Sequence, residues 1–182
     1  SLLWIFTNPL TTFLGVLSMV LYVFAYTPLK RVGPIAVFVG AIPGAMPPLL
    51  GWTAATGSIT YEALIIFGIQ FVWQFPHFWA IAWLSYDDYL KANIMLLPSK
   101  DGKSKQSAFI TLLYTVVLIP LSFYPSYLNG SITIGSIILA IASIGFTYLS
   151  VQFYRTCQDA DARKLMFGSF AYLLIFLISL FF

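Results

Sequence analysis

Six stretches of this chain stay apolar for about 18 residues or more, and that length restricts its possible folds more than any other feature. A helix rises about 1.5 Å per residue, so each run can cross roughly 30 Å of hydrocarbon, the thickness of a bilayer core. Inside a bilayer, backbone amides must be satisfied within the protein, as a helix does. The runs predict membrane-spanning helices over residues 9–27, 33–54, 60–84, 107–126, 131–153 and 165–182. The expected fold is therefore all-α, a polytopic transmembrane helix bundle forming a single domain over residues 1–182. Composition agrees: 8% of residues are charged, against about a quarter in a soluble domain. No basic n-region or small-residue cleavage site precedes the first run, so a signal peptide is not evident. The chain opens on Ser1 among apolar residues, and a natural N-terminus upstream is expected.

All nine Lys and Arg residues fall in alternate loops: Lys30 and Arg31, then Lys91, Lys100, Lys103 and Lys105, then Arg155, Arg163 and Lys164. Alternating spans put these loops on one face, which the positive-inside rule makes cytoplasmic, and both ends of the chain on the other. The opposite loops carry one acid, Glu62. Short juxtamembrane basic groups satisfy topology and do not argue for nucleic-acid binding. Cys157 is the single cysteine, so neither an internal disulfide nor a thiolate metal site can be built within one chain.

Chemistry concentrates between Gln70 and Pro98, QFVWQFPHFWAIAWLSYDDYLKANIMLLP. At about 100° per residue, Gln70, Gln74, His77 and Asp88 fall within roughly 60° of one another, provided Pro76 does not kink the helix badly. A polar stripe that ends in carboxylates is expected, facing the bundle interior because polar groups are costly in lipid. The glutamines also suit interhelical hydrogen bonding, and His77 a satisfied interior site. Trp73, Phe75, Phe78 and Trp79 around His77 offer flat apolar surface for a planar macrocycle. Asp87 and Asp88 suit a Mg²⁺ ion, which takes one or two carboxylates and completes its shell with water and phosphate oxygens. A solvated helix end, its charges partly neutralised by Lys91, is the other reading. Residues 85–106 form a basic-face hairpin able to close over an anion.

Two further stretches carry expectations. In YTPLKR, Lys30 and Arg31 join a point charge to a planar fork, a pairing suited to diphosphate as well as to topology. The second span, with Gly40, Gly44 and Gly51 among Pro43, Pro47 and Pro48, is expected to be broken or bent, and its GxxxG permits close packing. The last three spans show no metal or catalytic spacing. Their loop YRTCQDADARK reads as a solvated, self-paired segment.

Together YTPLKR, GAIPGAMPPLLGW, WQFPHFWAIAW and DDYLKANIMLLPS, in this order, resemble the haem O synthases, the protohaem IX farnesyltransferase branch of the UbiA superfamily. The resemblance implies a nine-helix bundle of which six helices, roughly the C-terminal two-thirds, are present here. It implies transfer of farnesyl from farnesyl diphosphate to the vinyl group of haem B, giving haem O and diphosphate. Catalytic roles fall to Asp88, Lys30 and Arg31. Lys30, Arg31 and Lys91 are implied to hold diphosphate, Asp88 and Asp87 a Mg²⁺ cofactor, and His77, Trp73 and Gln74 the haem substrate. The implied setting is a bacterial cytoplasmic membrane, a mitochondrial inner membrane being the other candidate. The active site would face the cytoplasm, with possible hand-over to haem A synthase or terminal oxidase assembly. The family's first motif, an Asn-Asp with further aspartates, does not occur in these residues, so this polypeptide alone is expected to be inactive. The competing possibilities are a UbiA-type enzyme for a quinone or chlorophyll precursor and a non-catalytic membrane transporter or scaffold.

Overall fold

A computed structural model describes residues 2–123, 126 and 130–180. After a short α1 (Leu2–Phe6), six helices are long and apolar enough to cross a membrane. They are α2 (Pro9–Leu29), α3 (Ile35–Thr56), α4 (Tyr61–Leu84), α6 (Lys105–Ser122), α7 (Ile134–Thr156) and α8 (Asp159–Ser179); the short α5 (Tyr86–Lys91) lies between α4 and α6. With this architecture the protein is an integral membrane protein.

Local chemistry sets the helix ends. Asn8, Thr60, Ser104 and Thr133 each accept a hydrogen bond from a first-turn amide of α2, α4, α6 and α7, satisfying donors a helix start leaves open. Gly57, at φ +72°, ends α3 in the left-handed conformation that costs glycine little. The sixth span starts at Asp159 and not at 165. Its first turn is charged and escapes a hydropathy reading, yet acids there complement the helix dipole.

The second span is not broken, one of the two outcomes expected of it. Residues 35–56 form one continuous α-helix with all three prolines inside it. Pro47 has no N–H to give the carbonyl of Pro43, and the Ser18 hydroxyl of α2 donates to that oxygen instead, at 3.4 Å. Replacement of a lost backbone bond by a neighbouring helix is how membrane helices tolerate proline.

Helices α4, α6, α7 and α8 pack in a closed ring of four; α3 packs on the outside of α4, and α2 on α3. The ring core holds Phe75, Trp83, Phe146, Phe153, Tyr172 and Phe176, with Ser136, Ser143 and Ser150 at seven-residue intervals along α7. These small residues let the helices approach closely, and Ser143 returns its hydroxyl to Leu139 O at 2.8 Å. Helix α4 touches α3, α6 and α8, so what its side chains carry becomes central.

Candidate functional site

His77 is buried where α4 meets α8. Its Nδ1 lies 2.7 Å from Ser169 Oγ. Ser169 has one hydroxyl proton and donates it to Met166 O, so its oxygen is left to accept from His77. The imidazole is thereby assigned as the Nδ1–H tautomer, with an unprotonated Nε2; among the described residues no hydrogen bond reaches Nε2. Trp73, one turn earlier, stacks on the imidazole at 4.9 Å and 14°, and its Nε1–H donates to Ser169 O at 2.8 Å. Phe170 also meets the ring, edge-to-face, at 4.9 Å. One residue of α8 therefore fixes both Trp73 and His77.

Gln74 turns the opposite way. Its Nε2 donates to Ala41 O of α3 at 3.1 Å and to Gln70 O at 3.2 Å. A Cβ on Gly44 would collide with its Oε1, so the glycine exists to admit this amide. Gln74 is occupied as an interhelical bond, one of the two roles its sequence position allows.

The expected stripe does not continue to the aspartates. At Ser85 the backbone leaves helical geometry (φ −98°, ψ 19°), and Asp87 and Asp88 belong to the separate helix α5. Angular bookkeeping along one uninterrupted helix therefore fails for Asp88. Asp87 is exposed, and the Asp88 side chain is 80% exposed and 3.1 Å from Lys91 Nζ. A hydrated pair of hard carboxylate oxygens fits Mg²⁺, whose remaining ligands come from water and phosphate. Among the described residues no group of three or more His, Cys, Asp or Glu gathers to make a closed cage.

At the end of α2, residues 21–26 widen into a π-turn. Such turns inside α-helices are frequent at functional sites. Tyr22 and Tyr26 pack at 5.3 Å, with Lys30 Nζ 4.4 Å above the Tyr26 ring and 5.8 Å from Tyr22. Arg31 is exposed on the turn after α2. Beneath this group a cavity of about 490 Å³ opens between α2 and α3, lined by Tyr22, Tyr26, Gly40 and Gly44 and closed by Phe78 of α4 and Leu96 of the basic loop. His77 stands behind Phe78, ring centroids 5.5 Å apart, and does not itself line the cavity.

The loop after α7 also differs from expectation. Asp161 does pair locally, with Lys164 at 2.8 Å and the Thr156 hydroxyl at 2.7 Å. Asp159 instead accepts from Trp83 Nε1 and from Lys103 Nζ, each at 2.9 Å, clipping the hairpin to the top of the ring. Ser169, Asp159 and Tyr22 carry no spacing signal in sequence, because each acts through a partner on a distant helix.

The UbiA prenyltransferase family model matches residues 1–178. The chain belongs to the UbiA prenyltransferase family. Among its relatives within UbiA, a protoheme IX farnesyltransferase from Cytophaga hutchinsonii is 52% identical over 161 residues, 88% of this chain and 56% of that protein. The one from Christiangramia forsetii is 41% identical over 170 residues, 91% of this chain and 56% of that protein. The mitochondrial one from Arabidopsis thaliana is 39% identical over 176 residues, 94% and 40% respectively. This UbiA chain thus spans about 56% of the length of the first two. No solved structure matches it.

Proposed function

We propose that the chain forms part of an intramembrane enzyme that moves farnesyl from farnesyl diphosphate to the vinyl carbon of haem B; water adds, and haem O and diphosphate leave. Its relatives carry the name protoheme IX farnesyltransferase. The single observation that supports this most is the aromatic cavity lined by Tyr22, Tyr26 and Phe78, with Lys30 Nζ, outside that lining, 4.4 Å from the Tyr26 ring centroid. An allylic diphosphate has the same order, a charged head and an apolar tail.

In this proposal Lys30 and Arg31 hold the diphosphate, and Lys91 exchanges its pairing with Asp88 for the substrate. Asp88, with Asp87, would hold Mg²⁺, which when bound supplies Lewis-acid neutralisation of the leaving group. Cations placed where charge develops favour departure of the diphosphate, so no enzyme nucleophile is required. The Tyr22, Tyr26 and Phe78 faces would shelter the cationic carbon and keep water away.

His77 would meet the haem through Nε2, its free nitrogen, and Trp73 would back the imidazole. Contact with the haem would require Phe78 or Phe170 to move aside. Gln74 would act on the haem side only by holding α4 against α3. By the positive-inside rule the site would open to the cytoplasm of a bacterial membrane. A prenylated haem that stays in the bilayer suits direct transfer to haem A synthase or to terminal oxidase assembly.

The test is paired binding to the complete protein that contains these residues. His77→Ala is expected to weaken haem B binding while sparing farnesyl diphosphate. Equal loss of both would reduce His77 to a folding residue and remove the haem assignment.

A further inference from the structure

Outside the cavity, on the far side of the ring, a groove of about 720 Å³ runs between α7 and α8. Arg163 and Lys164 stand at its basic end, and Phe167, Gly168 and Ala171 continue it toward the middle of α8, opposite Leu149 of α7. A Cβ on Gly168 would strike the Leu149 side chain, so the glycine lets α7 settle close and form an apolar floor. From Arg163 to Ala171 the rise is about 12 Å, enough to pass from headgroup depth into hydrocarbon.

The charges at this mouth are unevenly committed. Asp161 is taken by Lys164 and Thr156, and Asp159 by Lys103 and Trp83. Arg163 is exposed and makes no side-chain hydrogen bond or ion pair among the described residues, although its charge also acts on Asp159 one turn earlier. A guanidinium fork with uncommitted N–H groups suits a phosphate, and basic pockets between spans are where anionic headgroups lodge.

We infer that this groove holds one anionic phospholipid, its phosphate on Arg163 with Lys164 beside it and one acyl chain along Phe167, Gly168 and Ala171. The ligand has the same sequence of polarity as the groove, anion above and hydrocarbon below. Free phosphate would leave the apolar floor uncovered. The inference is independent of prenyl transfer, since no residue of the groove belongs to the proposed catalytic site.

Native mass spectrometry of the complete protein that contains these residues, released from nanodiscs of equal phosphatidylglycerol and phosphatidylcholine, tests it. Preferential retention of one phosphatidylglycerol is expected. Arg163→Gln should lower that retention about fivefold, the value of one cation near the headgroups. Ala171→Trp, on an exposed position, should also lower it by filling the floor while both cations stay. Equal retention of both lipids overturns the inference, as does unchanged retention in either variant. Displacement by inorganic phosphate would mean a simple anion site, and a dimer without lipid would mean a second copy; each also overturns it. Should Ala171→Trp fail to fold, Arg163→Gln alone decides.

Discussion

His77 Nδ1 donates to the hydroxyl of Ser169, 92 residues further along the chain and 2.7 Å away. The bond joins the first and last helices of the four-helix ring and decides which imidazole nitrogen stays free. A ligand or hydrogen-bond donor meeting this histidine would have to approach Nε2.

His77 is the only histidine in the chain, so selective ¹⁵N-histidine labelling gives one reporter. Its spectrum should show the Nδ1–H tautomer. Ser169→Ala should admit the other tautomer and cost about 1–3 kcal/mol through the orphaned donor. An Nε2–H signal in the unsubstituted protein would contradict the hydrogen-bond assignment.

Gly44→Ala should destabilise the protein by about 1–3 kcal/mol, because the new methyl displaces Gln74 from Ala41 O. Gly51→Ala on the same helix meets nothing within 4 Å. It should be stabilising by about 0.5–1 kcal/mol through helix propensity. Thermal unfolding in detergent compares them, and equal effects would mean that the Gly44 contact is not needed.

How far the sequence could be read follows from the range of its signals. Hydropathy runs and cation placement are local and strong, and they located the six spans within a few residues, except where the charged first turn of α8 hid its start. The proline-rich span is expected to be broken or bent, and at one of its three prolines a donor from another helix, Ser18 to Pro43 O, stands in for the lost backbone bond. His77 stood out as a lone imidazole in an apolar run, but its partner Ser169 is one of many helix serines. The stripe from Gln70 to Asp88 failed at Ser85, a single non-helical residue that no periodicity reveals.

The clip of Asp159 on Trp83 and Lys103 should control how readily the hairpin lifts. Asp159→Asn weakens it while leaving every tryptic site intact. Cleavage after Lys100 or Lys105 should accelerate a few-fold, since local opening exposes the loop to protease. An unchanged rate would show that Tyr86 against Gly102 and the Ser99 and Ser107 hydrogen bonds hold the loop unaided.

Asp88→Asn should hardly alter stability, since an exposed ion pair contributes about 0–1 kcal/mol. Membrane insertion should likewise be normal. Any loss of function then belongs to chemistry and not to folding.

Product analysis in membranes bearing the complete protein, given farnesyl diphosphate, Mg²⁺, haem B and an aromatic quinone precursor together, bears most directly on the proposed function. Haem O and diphosphate should form in step, the quinone precursor should stay unprenylated, and Asp88→Asn should abolish the transfer. Prenylation of the quinone precursor in place of haem, or full haem O formation by Asp88→Asn, would contradict the assignment of this site.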